Sequence, residues 1–172
     1  MGVGRYHAHE YDGGNMITYR KANSSDIPEV IKMRLGYMHE THTELSDDVF
    51  DEIAHQSEGY FQEHLNRDCI VYLALDGEKV AACIFFLLIN KPASPLFITG
   101  KTGTLMNVFT LPEYRRKGIA RHLVEMAISD GKEWDLSYIE LRSTKDGYPL
   151  YCSLDFVEDK SIYMSMKLKL VE

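Results

Sequence analysis

The chain has 172 residues, 45% of them apolar and 26% charged, with a formal net charge of −7. That describes one ordinary globular domain with room for a buried core, and the acidic balance argues against a general nucleic-acid binder, whose surface is basic. Cys69, Cys83 and Cys152 show no C-x-x-C spacing and fit buried free thiols in a reducing cytoplasm; no run reaches the roughly 18 apolar residues of a membrane span, and the N-terminus lacks the apolar core of a signal peptide.

Residues 1–15 hold four glycines, His7 and His9 and no apolar periodicity. They read as an N-terminal tail or an expression remnant, and a metal site from the two histidines is not expected in so flexible a setting. From residue 16 to 172 the pattern is that of one domain. Ile17-Thr18-Tyr19-Arg20 alternates as a short strand. Asn23 to Glu29 supplies capping side chains, early acids and a first-turn proline, which start a helix carrying Ile27, Val30, Ile31 and Met38. A second helix fits Asp47 to Leu65. Cys69 to Leu75 and Lys79 to Ile89 are strand-like runs joined by Asp76-Gly77, a strong hairpin signal. Asn90 to Gly103 reads as a loop and Thr104 to Thr110 as a strand. Ile119, Leu123, Val124 and Ala127 form the stripe of a third helix, with its end expected at Gly131. Tyr138 to Ser143 is a strand and Tyr148 to Leu154 a short helix. Phe156-Val157 opens a final hairpin whose second strand alternates through Ile162, Met164, Met166, Leu168 and Leu170. The expected order is β-α-α-β-β-β-α-β-α-β-β, an α/β fold with a single mixed sheet.

Between the Thr104–Thr110 strand and the third helix lies Leu111-Pro112-Glu113-Tyr114-Arg115-Arg116-Lys117-Gly118-Ile119-Ala120. A helix's first N–H groups have no partner inside the helix, and its dipole adds partial positive charge there. With a glycine and three basic residues at that point, the element suits a phosphate-bearing ligand. The glycines of a Walker loop and of the dinucleotide fingerprint are both missing, which excludes those two nucleotide readings.

The form Arg115-x-x-Gly118-x-Ala120 resembles the acetyl-CoA signature of the GCN5-related N-acetyltransferase (GNAT) superfamily, and Leu150-Tyr151-x-x-x-x-Phe156 resembles a second block of that family. The resemblance spans about Ile17 to Leu170. It implies the GNAT fold, and an acetyl-CoA-dependent N-acetyltransferase working by direct attack in a ternary complex, with no metal. It implies that CoA pyrophosphate sits on the turn from Arg115, Arg116, Lys117, Gly118, Ile119 and Ala120 to Arg121. Backbone groups of Phe109, Thr110 and Leu111 would hold the pantetheine arm, and Tyr151 would protonate the departing thiolate. The family's asparagine ahead of the tyrosine is replaced, with Ser143 or Thr144 as substitutes. Asp155 stands at the family's glycine and is expected to accept the left-handed conformation.

The resemblance implies that the acceptor is an amine on a small molecule or peptide. Its base is sought among His39, Glu40, His42 and Glu44, and Asn107 is placed to orient water or substrate. Acids at Glu40, Glu44, Asp47, Asp48, Asp51 and Glu52 would favour a cationic amine if they rim the pocket. The expected partners include no nucleic acid and no membrane. The final hairpin offers an edge for a homodimer of the kind frequent in the family. The other reading is a non-catalytic acyl-CoA sensor on the same fold; retention of Tyr151 favours the enzyme.

Overall fold

The computed structural model describes residues 7–10, 16–160 and 166–170. Its elements are β1 (His7–Glu10), β2 (Met16–Lys21), α1 (Ile27–Thr41), α2 (Asp47–His64), β3 (Cys69–Asp76), β4 (Lys79–Asn90), β5 (Lys101–Thr110), α3 (Ile119–Glu133), β6 (Ile139–Leu141) and α4 (Tyr148–Cys152). Two compact units contain them, residues 1–142 and 143–172.

The first unit is built on one mixed sheet in the order β1-β2-β3-β4-β5-β6. All neighbours are antiparallel except β5 and β6, which run parallel. β3 and β4 are buried on both faces and read as continuous apolar runs. One face, with Val71, Leu73, Cys83 and Phe85, packs against Val30 and Met33 of α1 and Phe61 of α2. The other carries Tyr72 and Phe86, and the Tyr72 hydroxyl donates to Asp130 of α3 at 2.5 Å. Each large side chain so buried contributes roughly 1.5–3 kcal/mol.

α1 begins where the sequence places it. Asn23 and Asp26 cap each other's backbone in a reciprocal box, and Arg20 grips Asp26 with two bonds of 2.6 and 2.7 Å. α3 runs past Gly131, the expected stop. A Cβ there would come within 2.9 Å of Ile139, so this glycine admits β6 rather than ending the helix. β5 starts earlier than expected, at Lys101, because Gly103 lets it lie against Phe86, whose ring a Cβ would meet at 2.3 Å.

Two expectations are corrected at the chain ends. His7–Glu10, read as tail, form β1 and pair in register with Met16–Tyr19; the Asp12-Gly13 dipeptide between them is itself a hairpin signal. The final hairpin is not formed among the described residues. Residues 156–160 and 166–170 have no strand partner, and Met166, Leu168 and Leu170 are exposed. Residues 161–165, which include Ile162 and Met164, lie outside the described residues. Alternation encodes which side chains share a face, and a strand also needs an edge to pair with. Cys69 and Cys83 are buried free thiols as expected, whereas Cys152 is exposed. Among the described residues no helix is long and apolar enough to cross a membrane, and no group of three or more His, Cys, Asp or Glu side chains could hold a metal ion.

Candidate active site

β5 delivers the chain to the site. Cys83 faces Phe109 across the β4–β5 ladder, yet Phe85 faces Met106, so β5 carries one extra residue. Asn107 takes up that bulge with a left-handed φ of 50°, which Asn tolerates better than most residues. Beyond it the Leu111 N–H donates to Ala81 O at 2.9 Å, so β4 holds β5 to its end. On the opposite side β6 pairs only with Gly103–Leu105. Residues 106–110 therefore present an edge that β6 does not cover. The alternation of an antiparallel ladder turns the N–H and C=O of Thr110 to that edge, while Phe109 and Leu111 face β4. Of the three backbone positions expected to hold a pantetheine arm, Thr110 is the one with its polar groups turned outward, and its C=O already accepts from Arg115, which leaves the N–H.

A single 3-10 turn, Pro112–Tyr114, follows. The Tyr114 hydroxyl donates to Asp76 at 2.8 Å and Lys79 pairs with Glu113 at 2.7 Å, which pins the turn to the β3–β4 hairpin. The Asp76 carboxylate raises the Tyr114 phenol above its ordinary pKa, and Lys79 holds Glu113 below its own. Arg116 and Gly118 both lie in the left-handed region, at φ 61° and 76°. The first bond into α3 runs from His122 N–H to Gly118 O at 3.1 Å. The N–H groups of Ile119 and Ala120 thus lead the helix without a partner inside it, as an anion-binding terminus requires.

The three basic side chains have separate fates. Arg115 is turned away from the helix start. Its Nε donates to Thr110 O at 2.8 Å, its Nη2 reaches both Glu40 oxygens at 2.6 and 2.7 Å, and its guanidinium lies 5.8 Å from the Phe109 ring centre. In this structure the side chain ties the turn to α1 through Glu40. Lys117 lies 5.4 Å from the Tyr114 ring centre, and Arg116 is exposed. Arg121 sits 3.4 Å from Glu125 on the next turn.

Of the candidate bases, Glu40 is the one paired with a cation, both its oxygens accepting from Arg115. The His39 ring stacks on Phe50 of α2 at 3.8 Å, and His42 approaches Glu44 at 3.5 Å where both are exposed. Asp47 and Asp48 occupy the first turn of α2, where carboxylates offset the helix dipole. Helix geometry thus accounts for two of the six acids that suggested a cationic acceptor. Asn107 is buried; its Nδ2 lies 3.7 Å from Cys83 Sγ, and its Oδ1 accepts no hydrogen bond among the described residues.

In the second unit the Thr144 hydroxyl accepts from the Gly147 N–H at 3.2 Å, and the Ser143 hydroxyl donates to Thr144 O at 2.6 Å. Both side chains open α4. Tyr151 is buried and meets Phe156 edge-on, with ring centres 5.9 Å apart. Phe156 N–H donates to Tyr151 O and Asp155 N–H to Cys152 O, with Asp155 at φ 64°. This is a Schellman ending with its hydrophobic contact. Asp155 adopts the left-handed conformation expected of it.

A model of the Acetyltransferase (GNAT) family matches residues 30–156. No curated protein matches the sequence significantly. A predicted acetyltransferase from Clostridium acetobutylicum, solved with acetyl-CoA, is 25% identical, with 88% of this chain and 96% of that one covered at a TM-score of 0.76. A GCN5-related N-acetyltransferase from Ralstonia eutropha JMP134 gives 18% identity, coverages of 87% and 98%, and a TM-score of 0.73. A ribosomal-protein-alanine N-acetyltransferase from Brucella melitensis gives 18%, 88% and 99%, and 0.65.

Proposed function

Because the chain belongs to the GNAT acetyltransferase family, we propose that it transfers the acetyl group of acetyl-CoA directly to a primary amine. The observation that carries this reading is the α3 start. A left-handed Gly118 and outward N–H groups at Ile119 and Ala120 follow directly on a β5 edge that β6 leaves open. Pyrophosphate would take the N–H groups, assisted by Arg116, and the pantetheine arm would run along the open edge at Thr110. The amine nitrogen attacks the thioester carbon, the C–S bond breaks, and Tyr151 gives its phenolic proton to the leaving thiolate. The proton lost by the amine passes to solvent.

Transfer is measured as CoA release over a panel of amines, beside acetyl-CoA binding by calorimetry. Tyr151→Phe should lower kcat by about 10²–10⁴-fold, the range of general acid catalysis, while acetyl-CoA still binds. A variant as fast as wild type would remove Tyr151 from the chemistry. A wild-type chain that binds acetyl-CoA tightly and acetylates nothing would be a sensor.

A further inference from the structure

Arg34 is a charged residue on the face of α1 that packs on the sheet. It is half-buried, on the side of α1 that packs toward β4, with its guanidinium 6.0 Å from the centre of the Phe85 ring. No carboxylate pairs with it among the described residues. The titratable groups that act on it are Tyr37, Tyr60, Cys69 and Cys83. Burial pushes Tyr60 up to about 12, Cys69 to about 11 and Cys83 to about 12, so these three stay neutral at physiological pH. A ring contact engages one face of a guanidinium and leaves the edge with its fork of N–H donors free. A half-buried positive charge thus lies among groups that stay neutral, with its donors directed to no anion of the described residues. Arg20, also partly buried, is by contrast paired with Asp26.

A second observation comes from β5. Cys83 is the shared neighbour, in contact with Asn107 and acted on by Arg34. Asn107 is 5% exposed and carries a buried amide oxygen with no donor. An amine or ammonium N–H is the complement of that oxygen, as a carboxylate is the complement of the guanidinium. Both lie on the α1 side of β4, at the β5 bulge.

We propose that Arg34 binds the carboxylate of the acetyl acceptor, with Asn107 Oδ1 receiving its amine, so that the acceptor is a small amino acid or a close relative rather than a polyamine. The proposal rests on the acetyl-transfer reading and names its substrate class. A single guanidinium with no second cation acting on it among the described residues matches a planar monoanion, which it can grip through two parallel bonds; a phosphate dianion calls for more positive charge.

The test uses the full-length chain and reads acetyl-CoA binding first. Transfer is then followed with matched acceptors: free amino acids, their C-terminal amides, and diamines of similar length. Each free acid should show KM lower than its amide by about tenfold or more, the scale on which an unmatched buried polar group rejects a ligand. Arg34→Gln should collapse that ratio to about one, and acetyl-CoA binding by the variant certifies its fold. Should Arg34→Gln fail to fold, the wild-type ratio decides alone. Equal use of acid and amide, preference for diamines, or turnover of none of the three with acetyl-CoA bound overturns the proposal and leaves acetyl-CoA as the donor. Failure to bind acetyl-CoA overturns the transfer reading itself, and the acceptor with it.

Discussion

Single residues differ in how far the sequence announces their conformation and their partners. Asp155 was legible because left-handed positions are restricted to few residue types, so identity reports conformation. The partnership of Arg115 with Glu40 was not, because the two are 75 positions apart and nothing local marks them. Arg34 was equally silent, since a sequence shows a charge but not the absence of its partner. Two expectations belong at this scale. At pH 7.5, iodoacetamide should modify Cys152 and spare Cys69 and Cys83, because only thiolates react and burial holds those two thiols protonated; intact mass after alkylation counts the adducts. Asp26 is held below its ordinary value of 3.8 by the Arg20 hydrogen bonds. Its contribution is therefore complete above its unfolded value and lost as pH falls through the lower folded one. Urea denaturation of wild type and Asp26→Asn should show a stability gap at pH 7 that closes as pH falls below about 3.8.

At the scale of elements, periodicity placed α1, α2, β3, β4 and α3 close to where they stand. It erred where a glycine served packing instead of punctuation. Gly131 was read as a stop and Gly103 as part of a loop, yet each makes room for a neighbouring side chain. Gly103→Ala should thus destabilise the protein by about 1–3 kcal/mol, the cost of overpacking. The Phe86 ring it would strike is fully buried and stacked on Trp134, which leaves it nowhere to retreat. A thermal or urea transition unchanged by the substitution would show that β5 can shift.

For the whole molecule, the sequence conveyed the layer order because burial patterns along each strand state how many faces are covered. It did not convey the pairing of the chain ends. β1 reads as polar, and the residues near the C-terminus alternate like a strand while 166–170 stand exposed. The contact between Arg115 and Glu40 has a consequence at this scale. The helix that bears Glu40 also bears Arg34, so in the proposed reading the donor turn is tied by Arg115 to the helix that anchors the acceptor. Thermodynamic linkage then makes the two ligands answerable to each other: whatever factor a carboxylate amine applies to CoA affinity, CoA must return to the amine. Calorimetric titrations run in both orders should give the same factor, and Glu40→Gln, which cuts the tie at its surface end, should bring that factor toward one.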